Sequence, residues 1–198
     1  MPGGGVAGIL LAAGEGSRLG RPKALVEIGG QSLLDRGVAL LRAGGAAPVI
    51  VVTGAAGVGP AGGITVHNPG WRSGMGSSLA AGLRAVPDGC DAAVIALVDQ
   101  PLVGPQAVRR LISARAAGAQ AAVAAYAGQP RNPVLLGREH WPEVVALAVG
   151  DAGARQFLRA YPDLVTVVEC GDTGQPDDID TPADLERIAA RVPPRAQG

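Results

Sequence analysis

Val6-Ala7-Gly8-Ile9-Leu10-Leu11-Ala12-Ala13-Gly14-Glu15-Gly16-Ser17-Arg18-Leu19-Gly20-Arg21-Pro22-Lys23 is the stretch whose reading decides the fold. Val6–Ala12 is a continuous apolar run ending in glycines, the pattern of a strand buried on both faces. The loop after it combines glycines, which let backbone approach a ligand and leave N–H groups free to cradle oxyanions, with two cations, Arg18 and Lys23, suited to a triphosphate. Two commoner motifs are excluded by spacing. Gly14, Gly16 and Gly20 read G-x-G-x-x-x-G rather than the dinucleotide fingerprint G-x-G-x-x-G, and Lys23 lies between Pro22 and Ala24 rather than in the Gly-Lys-Ser/Thr of a Walker loop.

Outward from this loop, short apolar runs alternate with helical patterns, as in a mostly parallel sheet with crossover helices. Strands are expected at Val49–Thr53, Ile64–His67, Ala92–Val98, Gln120–Tyr126, Pro133–Leu136 and Leu164–Cys170. Helices are expected at Ser32–Ala43, Ser77–Val86, Gly104–Ala117, Arg138–Leu147 and Ala152–Tyr161, and a last one from Thr181-Pro182, a capping residue followed by proline at the first helical position. The fold class is therefore α/β, three-layer α/β/α. No repeat or linker divides the 198 residues, so a single domain over 1–198 is expected, with flexible ends at 1–5 and 193–198.

Composition bounds the function. Hydrophobic residues make up 47% of the chain and aromatics only 3%, so the core must be built from Ala, Val, Leu and Ile, with Gly and Ala allowing helices to pack close on the sheet. The formal net charge is zero, which argues against a nucleic-acid or membrane-surface binder. Cys90 and Cys170 lack metal-ligand spacing and read as buried small hydrophobes. His67 and His140 have no partner pattern for metal or nucleophilic chemistry. With no basic n-region and no apolar run long enough to span a bilayer, a cytoplasmic location is expected.

Open sheets of this kind bind ligands at the carboxyl ends of their strands, and three unusual segments follow strands there: Gly14–Lys23, Asn68–Ser78 and Asp99. Asp99 ends a buried strand, where a carboxylate needs a pairing partner or a metal, or else serves as a cap. Asp180 stands just before Thr181-Pro182 and has the same two readings, metal ligand or cap.

The Leu11–Lys23 string closely resembles the signature of the NTP-transferase superfamily. Asn68-Pro69-Gly70-Trp71-Arg72-Ser73-Gly74-Met75-Gly76-Ser77-Ser78-Leu79, Asp99-Gln100-Pro101, Arg131-Asn132-Pro133-Val134-Leu135, Gly150-Asp151-Ala152-Gly153-Ala154-Arg155 and Asp178-Ile179-Asp180-Thr181-Pro182 resemble its molybdenum-cofactor cytidylyltransferase branch, in order, from about Val6 to Ile188. The resemblance implies transfer of CMP from CTP to a phosphorylated small-molecule acceptor, molybdopterin, with release of pyrophosphate. It implies nucleotide contacts at Leu11, Ala12, Ala13, Gly14, Gly16, Ser17, Asn68, Gly74, Ser77 and Ser78, catalytic roles for Arg18, Lys23 and Asp99, and Mg2+ on Asp99 and Asp180. The magnesium assignment suits two carboxylates completed by phosphate oxygens and water. A molybdoenzyme is the implied protein partner; no nucleic acid and no membrane is expected.

Ser77 and Ser78 are expected at a helix start, where capping alone explains one of them. Trp71 is open between a packed anchor and a ligand contact. The Ala12-Ala13 pair leans toward cytidylyl rather than guanylyl relatives. Gly76 and Arg131 depart from the branch pattern, where a serine and a small residue are frequent, so GTP and a sugar or polyol phosphate acceptor stay open. A non-catalytic nucleotide-binding or chaperone role is the alternative of a different class.

Overall fold

A computed structural model describes residues 4–57 and 62–192. In chain order the strands are β1 (Gly5–Ala12), β2 (Glu27–Ile28), β3 (Gln31–Ser32), β4 (Val49–Thr53), β5 (Ile64–His67), β6 (Cys90–Leu97), β7 (Ala121–Tyr126), β8 (Gln129–Gly137) and β9 (Val165–Glu169). The α-helices are α1 (Leu33–Ala43), α2 (Met75–Arg84), α3 (Pro105–Ala116), α4 (Trp141–Leu147), α5 (Arg155–Ala160) and α6 (Pro182–Ala189). Seven strands form one sheet in the order β5-β4-β1-β6-β8-β7-β9, and β2 pairs with β3 as a separate ribbon. All neighbours in the large sheet run parallel except β8, antiparallel to both β6 and β7.

Alternation explains why the central strands are apolar throughout. Leu10 and Ala12 of β1, Val51 of β4 and Val94 and Ala96 of β6 pack with Leu34, Val38 and Leu41 of α1 and Val108 and Leu111 of α3. Their neighbours Ile9, Leu11, Ile50, Val52, Ala93 and Ile95 face the opposite layer, with Leu79 and Leu83 of α2, Val144 of α4 and Phe157 of α5. Successive side chains point to opposite faces, and helices cover both, so polar residues such as Asp91 and Thr53 stand only toward the strand ends. The scarcity of aromatics fits close layers. A Cβ at Gly37 of α1 would lie 2.6 Å from the Leu10 methyls, so helix and strand touch there because the glycine has no side chain.

Several boundaries differ from the sequence expectation. α2 begins at Met75, not Ser77, because Gly74 turns the chain into it. The strand expected at Pro133–Leu136 runs from Gln129 to Gly137, since pairing with β7 continues through Gln129 beyond the apolar part. Arg138–Leu147 divides into a 3-10 turn, Arg138–His140, and α4, with Pro142 in the first turn. Gly150–Ala152 is likewise a 3-10 turn, and α5 starts only at Arg155. Gly4 and Gly5, expected in a flexible end, are held by Asp91 Oδ2 (3.0 Å) and Gly89 O (3.0 Å); residues 1–3 and 193–198 lie outside the described ones. Among the described residues no helix is long and apolar enough to cross a membrane.

The start of α6 matches its sequence signal. Thr181 accepts from Asp184 N while Asp184 accepts from Thr181 N, a reciprocal capping box. The Thr181 hydroxyl and Arg187 hold the Asp184 carboxyl down to about 2. Thr181→Ala should lower stability by about 1 kcal/mol and the melting temperature by roughly 2–4 °C, with Thr181→Ser near wild type. Because the Asp184 value is depressed, its contribution is present above the ordinary 3.8 and is lost as pH falls toward about 2. Thermal unfolding of the Ala variant and wild type should therefore converge over that range.

Candidate functional site

The parallel strands β4, β1 and β6 send their carboxyl ends to one edge of the sheet, where a cavity of about 700 Å³ opens. It is walled by Leu11 of β1 and by Ala13, Gly14, Gly16, Ser17, Arg18 and Lys23 from the loop after it. Asp99 after β6, Asp180 before α6, and Gly74 and Ser78 at the head of α2 complete the set that the structure brings together.

The first loop folds as two short 3-10 turns, Ser17–Leu19 and Lys23–Leu25. Gly16 enters the first with φ +63°, and a Cβ there would strike the Arg21 carbonyl; only glycine satisfies both conditions. This fold-back places Lys23 over the sheet edge. Its Nζ donates to Asp99 Oδ2 at 2.6 Å and to Asp180 Oδ1 at 2.6 Å. Arg18 Nη2 stands 3.4 Å from Asp180 Oδ2. The two carboxylate oxygens are thus separated by no more than the sum of two 2.6 Å contacts.

Lys23 and Asp99 are well sheltered, with side chains 17% and 18% exposed, whereas that of Asp180 is 38% exposed. Burial works to lower the Lys23 ammonium, but Asp99 first and then Asp180 outweigh it and hold it above its ordinary value. At Asp178 partial burial and nearby Asp99 push the carboxyl above its usual range, although the residue keeps an exposed face. Asp180 is not the cap of α6; that place belongs to Thr181, which leaves the Asp180 side chain to the charged cluster.

The segment after β5 is built around Asn68. Its Nδ2 donates to Ser77 Oγ (2.9 Å) and Ser78 Oγ (3.0 Å), and its Oδ1 accepts from Gly70 N (3.0 Å). Asn68 is buried and, like Ser77 and Ala12, does not line the cavity, so these three support the wall rather than form it. Neither serine caps α2. The N-cap is Gly74, φ +110°, where a Cβ would collide with the Gly150 backbone, and the first helical N–H, that of Met75, is met by Asp151 Oδ1 at 3.3 Å. The Gly76 departure has a local cause, since a Cβ there would meet the Ala148 carbonyl.

Sequence reasoning missed Glu15, Met75 and Asp151 as cavity residues; Asp151 stands in the quoted Gly150–Arg155 segment, but its distance from the other acids hid its place. Trp71 and Arg72 also line the cavity, with the Arg72 guanidinium 4.4 Å from the Trp71 ring centre. Trp71 is at once an anchor: a Cβ on Gly54 would lie 2.6 Å from its Cγ. Cys90 and Cys170 are buried thiols, raised by burial. His67 is exposed, and His140 bonds Gln120 Oε1 (3.0 Å) beside Phe157; neither is in the site.

Residues 8–165 match the family described as the MobA-like NTP transferase domain. Three relatives illustrate the likeness. The nicotine blue oxidoreductase of Paenarthrobacter nicotinovorans is 37% identical over 199 residues, covering 92% of this chain and 96% of its own length. The molybdenum cofactor guanylyltransferase of Rhodobacter capsulatus is 31% identical over 208 residues, covering 94% and 96%. The third is mycobacterial Rv0371c. The crystal structure of its homologue from Mycobacterium sp. strain JC1 superposes with a TM-score of 0.82 at 32% identity over 94% of this chain and 96% of that one. The Mycobacterium tuberculosis protein, solved in complex with manganese, does so with a TM-score of 0.75 at 26% identity over 95% and 100%. On this likeness over most of its length, this chain belongs to the MobA-like NTP transferase family.

Proposed function

We propose that this chain transfers CMP from CTP to a phosphorylated acceptor, molybdopterin, and releases pyrophosphate. The observation that carries the reading is the convergence of Asp99 and Asp180 on one ammonium, with Arg18 beside them and the glycine-rich loop around the same cavity. The nature of the acceptor rests on the sequence resemblance and on the relative named a molybdenum cofactor guanylyltransferase.

The donor set suits magnesium. Two carboxylates lie close enough to share one ion, and among the described residues no group of three or more His, Cys, Asp or Glu is arranged to hold a metal. That leaves positions for phosphate oxygens and water, the usual partners of magnesium; the Rv0371c complex with manganese supports the same reading. Bound there, the ion would supply Lewis-acid neutralisation of phosphate charge.

An oxygen of the acceptor phosphate attacks the α-phosphorus in line, the new P–O bond forms, and the bond to the β-phosphate oxygen breaks. The acceptor is already anionic, so no protein nucleophile or base is needed; positioning and charge neutralisation carry the rate. Arg18 and Lys23 hold the triphosphate and the departing pyrophosphate. Backbone N–H groups of Gly14–Ser17 and the head of α2 orient the nucleotide.

A second reading comes from the relative named an oxidoreductase, which matches this chain over nearly its full length. One experiment separates the readings. The protein is incubated with Mg2+, molybdopterin and each of CTP, GTP, ATP and UTP, and dinucleotide product is read by mass spectrometry; a parallel reaction without NTP monitors oxidation of NADH and NADPH with a dye acceptor. CTP should give product and the nicotinamides should stay reduced. Product from GTP alone would reverse the base assignment, and nicotinamide oxidation without any dinucleotide would replace the transferase reading.

Two variants test the roles within the site. Asp99→Asn should slow transfer by about a hundredfold or more, ~2.7 kcal/mol, while keeping the fold. Lys23→Met leaves the sheltered Asp99 and the more exposed Asp180 without their cation and should cost about 1 kcal/mol of stability, more than a loop cation exposed to solvent would. Added Mg2+ should then raise the melting temperature of Lys23→Met more than that of wild type. An equal rise in both would show that the ion does not sit between Asp99 and Asp180.

A further inference from the structure

Asp180 meets Asp99 because the chain that follows β9 is laced along the loop that follows β6. Gln175 N donates to Leu102 O (3.0 Å) and Ile179 N donates to Asp99 O (2.9 Å). Between these backbone rungs stands one side chain. Gln100 Nε2 donates to Asp178 Oδ1 at 2.9 Å and lies 3.3 Å from Pro176 O. Gln100 is buried, 5% exposed, and follows Asp99 directly, while Asp178 stands two residues before Asp180. Neither lines the 700 Å³ cavity. The pair therefore joins the two acidic segments without forming part of the cavity wall.

We propose that Gln100 and Asp178 form a positioning clamp that sets the Asp180 carboxylate beside Asp99. The proposal rests on reading Asp99 and Asp180 as the cation-binding pair. Neither backbone rung fixes a side chain: the Ile179 bond carries Asp180 toward the sheet edge, and a few tenths of an ångström then decide whether its oxygen can share an ion with Asp99. Gln100 is suited to this role because it stands on the same strand end as Asp99, so one buried residue ties both carboxylates to β6. An amide donor facing a carboxylate also gives a charge-assisted bond, stronger and shorter than a neutral one. Residues that orient metal ligands in this way change metal affinity by about 10–100-fold when removed.

The test compares Asp178→Ala, Asp178→Asn and Gln100→Leu in the full chain. Mn2+ binding is measured by electron paramagnetic resonance, and hydrogen exchange is measured at the Ile179 amide, which reads the clamp with no metal present. Asp178→Ala and Gln100→Leu should bind Mn2+ about tenfold more weakly and exchange faster at Ile179. Asp178→Asn keeps an acceptor for Gln100 and should stay within about twofold of wild type on both. The double variant Asp178→Ala with Gln100→Leu should be no worse than either single one, since both remove the same bond. Asp178→Asn falling as far as Asp178→Ala would overturn the clamp in favour of Asp178 as a charged ligand. Unchanged Ile179 exchange in Asp178→Ala would overturn it outright. A wild-type protein that binds no Mn2+ would defeat the cation reading, and the Ile179 amide would still decide whether the clamp exists.

Discussion

Coverage of the central strands on both faces is the constraint on which the rest of the molecule depends. β1, β4 and β6 have helices above and below, so each side chain along them meets another layer of apolar groups. A charge placed there would lose its hydration without gaining a partner, at a cost of several kcal/mol. Polar chemistry is consequently confined to the strand ends. Because the strands run parallel, their carboxyl ends share an edge, and loops that are far apart in sequence meet there. Gly14–Lys23, Asn68–Ser78 and Asp99 are neighbours for this reason alone.

At that edge the electrostatics follow from partial burial. Two carboxylates close together repel each other, and shelter from water removes the screening that would make this tolerable. Lys23 answers the repulsion by standing between them, at a cost in desolvation that its two 2.6 Å bonds offset. The same arrangement makes the site responsive to a ligand that brings its own cation and its own negative charge. In the proposed reaction a metal-bound triphosphate would offer the carboxylates a doubly charged replacement for the ammonium and would offer the ammonium phosphate oxygens. Each partner in the existing cluster then has an alternative of the same sign and greater charge, so binding exchanges contacts rather than exposing bare charges.

What the sequence discloses is what local chemistry determines. The strands Val49–Thr53 and Ile64–His67 coincide with β4 and β5, because two-sided burial or a sheet edge marks every residue in them. The cap at Thr181 is equally local, resting on three neighbouring residues. The loop Leu11–Lys23 is legible because glycines and cations occur together right after an apolar strand. Other features are invisible for equally physical reasons. The ribbon of β2 and β3 is two residues a side, below any periodicity, though Gly29-Gly30 between them is a turn signal. The start of α2 is set by Gly74 against Gly150 and by Asp151, contacts across more than seventy residues. Asn68 reads as a ligand contact from its motif, but its amide is consumed in bracing Ser77 and Ser78. The bond from Gln100 to Asp178 spans a similar distance, and neither residue type announces a partner.

The relative named an oxidoreductase sharpens what the charged cluster means. A fold shared over nearly the whole chain fixes the sheet and the direction in which its loops project, and chemistry is then chosen by the residues those loops carry. Moving a hydride requires a cofactor ring held against an acceptor, and it leaves one positive charge on the ring and one negative charge on the acceptor, which a proton donor answers. Moving a nucleotidyl group gathers four or more negative charges around one phosphorus and leaves several on the departing pyrophosphate. A site for that purpose needs cations facing the phosphates and anions to hold a metal, close enough to be mutually satisfied before the ligand arrives. Lys23 between Asp99 and Asp180, with Arg18 alongside, brings cations and paired carboxylates together in the way the proposed reaction asks. A redox site would have to tolerate the cluster's desolvation cost without using it. The cluster therefore weighs toward phosphate chemistry more heavily than identity to any single relative weighs against it.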